Sequence, residues 1–204
     1  MSASLGPIHY WLYRKIQFQE GLVQKILETS RQHAWDAAIE GKVNSTCGEA
    51  VLLPLDEIID HRNIHGWLQQ KIGIVEMRFA VLVTELMKQD LARLSELKNT
   101  AYRFGQDYPI ANDSGAADAF RTLGDLLLDG MPCDRVNMVV EQNEDSIVWN
   151  QTQCVHQEYW EQARGEASHY YVLREELIRG MLFNSGLEFN AQDGGLFEIK
   201  REEA

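Results

Sequence analysis

The first third of the chain carries its apolar residues at helical intervals. His9, Leu12, Ile16, Glu20, Val23 and Leu27 are spaced by three or four residues, which places them on one stripe of an amphipathic helix. Pro7 suits the first turn, where its missing N–H costs nothing, so the spacing predicts a helix from about Pro7 to His33. Ala34 to Lys42 extends it or ends it at Gly41. Asn44-Ser45-Thr46-Cys47-Gly48 has turn chemistry and leads into the apolar run Val51-Leu52-Leu53. A second helix is expected to begin near Pro54, with Asp56 and Glu57 complementing its dipole, and its continuity through Asn63 and Gly66 stays open. Its pattern continues to about Gly105, too long for one globular helix, so a break is expected near Gln89-Asp90. Gln106 to Ser114 reads as a loop, and Gly115 to Leu128 as a short helix closed by Asp129-Gly130-Met131-Pro132.

Beyond residue 130 the period shortens. Val136–Val140 and Ser146–Trp149 flank Asn143-Glu144-Asp145, and Leu187–Phe189 and Leu196–Ile199 flank Asp193-Gly194-Gly195. Both patterns are hairpin signals. Between them, Tyr170, Leu173, Leu177 and Met181 share one stripe of a helix running from about Gly165 to Phe183. Helices first and strands afterwards indicate an α+β fold. The expected organisation is an N-terminal helical bundle over residues 1–130, followed by a small C-terminal ββαββ antiparallel sheet with a backing helix over 131–204.

Within the helical part the motif I-H-x-W-L-x-x-K-I-x-x-x-E occurs twice, from Ile8 to Glu20 and from Ile64 to Glu76. Internal similarity of this kind constrains a fold. Eleven helical residues advance about 1100°, so His and Glu of each copy return to nearly the same face about 16 Å apart. His9, Glu20, His65 and Glu76 therefore sit on the stripes that should face the core. Carboxylates there need a partner or an ion. Antiparallel packing would bring each His to the other copy's Glu, whereas parallel packing would bring His to His and Glu to Glu.

Imidazole and carboxylate ligands suit iron, manganese or zinc. The expected function is accordingly a metal-binding protein with a His/carboxylate site between helices, extending to a metal-dependent enzyme acting on a small molecule through Lewis-acid or redox chemistry. His9, Glu20, His65 and Glu76 are the candidate ligands. His61 is auxiliary, since Glu57, His61 and His65 fall four apart. His156 or Glu158 would close the site from the sheet, because on a strand Cys154, His156 and Glu158 point the same way. The competing account is structural, with His–Glu hydrogen bonds setting register or helix ends lying in water.

Several other groups have a bland and a chemical reading. Trp11 and Trp67 each precede a lysine by four residues, Lys15 and Lys71, which allows a cation–π contact or plain packing of lysine stems over indoles. Glu166 and His169 have ligand spacing, but as a single pair. Cys47 could begin a helix and be activated there, or be a buried inert thiol. No glycine-rich phosphate loop, nucleophile elbow or H-E-x-x-H is present, which argues against nucleotide, serine-hydrolase and zincin chemistry.

Composition narrows the partners. Nineteen Lys and Arg against 31 Asp and Glu give a net charge of −12. That balance opposes nucleic acid and anionic membrane surfaces. Three cysteines without a C-x-x-C pair suggest neither a disulfide framework nor a thiolate zinc site. No apolar run approaches a bilayer span, and the N-terminus lacks the pattern of a secretory leader, so the expected compartment is the cytoplasm. Two further readings are non-catalytic: a module that binds a small-molecule ligand or partner through its aromatic residues, and a helical domain that forms a homodimer.

Overall fold

The computed structural model describes residues 5–50, 52–129, 134–192 and 194–202. Its helices are α1 (Pro7–Gln32), α2 (Ile39–Cys47), α3 (Leu55–Ile58), α4 (Ile64–Gln89), α5 (Arg93–Gln106), α6 (Ala116–Leu126), α7 (Gln157–Gln162) and α8 (Ala167–Met181). Its strands are β1 (Asn137–Gln142), β2 (Ser146–Gln151), β3 (Leu187–Gln192) and β4 (Leu196–Arg201), forming one antiparallel sheet in the order β1-β2-β4-β3. This is an α+β fold with the sheet towards the C-terminus. No helix among the described residues is long and apolar enough to cross a membrane.

The chain divides into two compact units, and neither is continuous in sequence. The first comprises residues 1–91, 126–128 and 158–166; the second comprises 92–125, 129–157 and 167–204. Helix α5, on the helical side of the sequence division at residue 130, packs with α8 in the second unit.

In the first unit α1 and α4 pack together along buried stripes that include Leu12, Ile16, Val23 and Leu27 on one side, Leu68, Ile72, Phe79 and Leu86 on the other. Three side-chain pairs fix their direction: His9 with His65, Tyr13 with Trp67, and Glu20 with Arg78. The partner number rises along both helices, so they run parallel. The helical pattern from Pro54, whose continuity through Asn63 and Gly66 the sequence leaves open, is interrupted before His65. α3 stops at Ile58, the chain turns, and the Asn63 side chain accepts the Gly66 N–H at 3.1 Å to start α4. Asn is a strong N-cap residue, so the local chemistry favours a fresh start here. The break before α5 falls at Asp90–Ala92.

In the second unit the sheet packs its inner face around Trp149, whose ring lies 4.9 Å from Phe120, 5.7 Å from Phe197 and 6.1 Å from Phe189 between centroids. β2 and β4 alternate buried and half-buried residues, as a strand with one covered face should. α5 and α8 cross where two glycines meet. A Cβ on Gly105 would run into the Leu177 carbonyl oxygen, and one on Gly180 into that of Tyr102. Only glycine lets the two backbones approach this closely.

Candidate functional site

The sequence-derived ligands are distributed rather than gathered. His9 and His65 do meet, at 3.4 Å between their Nε2 atoms, but at the surface. The Gly6 N–H donates to His9 Nδ1 at 2.9 Å, so the proton of a neutral His9 sits on Nε2 and faces the second ring. Glu20 is buried and held by Arg78, whose Nε donates to Oε2 at 2.9 Å and Nη2 to Oε1 at 3.1 Å. The same guanidinium donates to Asn44 Oδ1 at 2.7 Å and the Gly48 carbonyl at 2.5 Å. Glu76 is buried two residues before Arg78. His61 lies exposed in the turn before α4.

Cys154, His156 and Glu158 do not share a strand face, because β2 ends at Gln151 and Glu158 already belongs to α7, where it accepts from Gln162 at 3.1 Å. His156 is fully buried in the second unit. The metal reading is therefore overturned: among the described residues no three His, Cys, Asp or Glu side chains form a group that could hold a metal ion. The reason is physical. A buried carboxylate needs a counter-charge, and Arg78 supplies it to Glu20 where an ion was expected.

Polar groups do converge in the second unit. The segment after β2, residues 152–156, is pinned at both ends. Thr152 N–H donates to the Val136 carbonyl at 2.8 Å, and the Gln153 amide donates to the Asp134 carbonyl at 3.3 Å. At its far end the His156 ring stacks on Tyr170, 3.6 Å between centroids, with Nε2 3.6 Å from Asp129 Oδ1. Asp129 is itself clamped: Arg174 Nη2 donates to its Oδ2 at 2.6 Å and Asn137 Nδ2 at 2.9 Å. Burial alone would raise its pKa, yet Arg174, with His156 and Asn137, holds the carboxyl well below the usual carboxylate range. The group is an anion at any ordinary pH.

Between these anchors Cys154 is exposed. It borders a cavity of about 390 Å³ whose wall includes Gln151, Cys154, Tyr171, Glu175, Gln192 and Phe197. Tyr171 and Glu175 come from α8, Gln151 from β2, and Gln192 and Phe197 from the β3–β4 hairpin. The Tyr171 hydroxyl accepts from Gln151 Nε2 at 3.0 Å, so its own proton serves as a donor, with Cys154 as its hydrogen-bonding neighbour. Burial, followed by the neighbouring Cys154 thiol, pushes its pKa far above that of an ordinary tyrosine. Tyr171 is thus a permanent donor beside an accessible sulfur. Arg179 neutralises Glu175 in part, at 3.2 Å.

Sequence reasoning missed Asp129, Gln151, Tyr171 and Arg174. A signal existed for one of them: Arg174 lies beside Leu173 on the apolar stripe of α8, and a cation there calls for an acidic partner. Comparison with protein-family models, with curated proteins and with solved structures finds no match.

Proposed function

We propose that the second unit binds a small, neutral carbonyl-bearing molecule in the Cys154–Tyr171 cavity. The observation that carries this reading is the convergence of a hydroxyl donor, a thiol, a carboxylate and side-chain amides on one cavity that Phe197 also lines. Ligand sites combine an apolar wall with a few placed polar groups, in volumes of roughly 300–1,000 Å³; this cavity, about 390 Å³, suits a small occupant. Tyr171 offers a proton to a ligand oxygen. Glu175 and the overall charge of −12 disfavour an anion. Rigidity supports the same reading, because the buried Asp129–Arg174 pair fixes, through His156, the segment that presents Cys154.

Titration with a matched set, benzamide, benzylamine and benzoate, followed by ligand-observed NMR, tests it. Benzamide should bind saturably and benzoate should not, and Gln151→Leu should weaken benzamide binding about tenfold. Equal behaviour of the amide and the carboxylate, or no saturable binding by any of the three, refutes the reading.

A further inference from the structure

The cavity places a nucleophile and a hydrogen-bond donor on the same wall, and that pairing implies chemistry beyond binding. We propose that Cys154 adds covalently to α,β-unsaturated carbonyl compounds held in this cavity, with Tyr171 donating a hydrogen bond to the carbonyl oxygen. The inference rests on the carbonyl-binding reading above.

Three observations carry it. Cys154 is exposed, whereas Cys47 is half-buried. A thiol must be reachable to react. The Tyr171 hydroxyl has its acceptor role filled by Gln151, so its proton is directed to whatever oxygen or sulfur lies on the cavity side. The polar wall also includes Gln192 and Glu175, groups that can hold a carbonyl compound's polar end or accept a thiol proton.

The step balances without any further reactant. The sulfur forms a bond to the β-carbon, the carbon–carbon π pair moves to the α-carbon and is shared with the oxygen, and the thiol proton finishes on the α-carbon by way of solvent. Negative charge develops on the carbonyl oxygen during the addition. A donor on the same wall, once it meets that oxygen, stabilises the charge. The product is a thioether, and nothing is oxidised or reduced.

The test uses full-length protein carrying Cys47→Ser and Cys133→Ser, so that Cys154 is the reporting thiol, with acrylamide and iodoacetamide as probes. Rates are read by intact-protein mass spectrometry against free cysteine at the same pH. Acrylamide addition should exceed that of free cysteine at least about tenfold, and Tyr171→Phe should remove about tenfold. Iodoacetamide, which builds no charge on its oxygen when displaced, should be much less affected by the same substitution. Equal losses for both probes would mean that Tyr171 acts on the sulfur alone, and would overturn the proposal. So would a Cys154 rate no greater than that of free cysteine. Gln151→Leu, which keeps the hydroxyl but removes its partner, should give an intermediate acrylamide rate; a rate as low as that of Tyr171→Phe would place the effect in local packing and count against the inference. Slow addition with intact benzamide binding overturns this step and leaves the binding reading standing. Loss of both removes both.

Discussion

Replacing Asp129 with Asn is the most informative perturbation of the second unit. The substitution keeps the volume and removes the charge that Arg174 meets at 2.6 Å. Arg174 is 7 % exposed at its side chain and Asp129 8 %, so the guanidinium would be left buried with no anion. Breaking a buried pair on one side costs about 3–5 kcal/mol. For a chain of this size that is a fall in Tm of roughly 6–20 °C. Differential scanning calorimetry at pH 7 measures it directly. A double-mutant cycle sharpens the test: Asp129→Asn with Arg174→Met buries neither charge, and should recover part of the loss.

The pH dependence has a definite sign. The folded carboxyl has a lowered pKa, so its stabilisation is fully present above the unfolded value of about 3.9 and is lost as pH falls towards the folded one. The gap between wild type and Asp129→Asn should therefore narrow on acidification below about pH 4. A gap of under about 2 °C at pH 7, or one that widens in acid, would refute the reasoning.

Other expected outcomes follow from single contacts. Gly180→Ala drives a methyl group into the Tyr102 carbonyl, and the α5–α8 crossing must open at a cost of about 1–3 kcal/mol, visible as a lower midpoint in urea. Arg78→Met strands the Glu20 carboxylate, which is 3 % exposed at its side chain, and should cost about 3–5 kcal/mol by the same measurement. Burial pushes the Cys47 thiol up against the smaller opposing effect of Arg78, so at pH 7.5 iodoacetamide should label Cys154 well before Cys47, as peptide mapping would show.

What the sequence revealed follows from what periodicity can carry. α1 was legible almost to the residue, because His9 to Leu27 keep one unbroken stripe. The hairpins were legible because Asn143–Asp145 and Asp193–Gly195 interrupt alternating runs. The restart at Asn63 was legible only as an open question at Asn63 and Gly66, since a capping side chain inside a helical pattern looks like one more polar residue. α7 was missed because the Cys154–Glu158 alternation resembles a strand, although β2 ends at Gln151.

The site failed to read for a deeper reason. A stripe shows that Glu20 needs a partner but not which element brings it. Arg78, flanked by Met77 and Phe79 within an apolar run, was the available clue. The cavity in the second unit depends on Gln151, Tyr171 and Gln192 meeting from separate elements, and no spacing within one element encodes that.

The most direct test of the central claim is a residue-resolved amide NMR titration of the whole chain with benzamide. Saturable shifts should centre on Gln151 to Cys154, Tyr171 to Glu175, and Ala191, Gln192, Gly194 and Gly195, and should be much reduced in Tyr171→Phe. Shifts centred on the first unit, or none that saturate, would contradict the account.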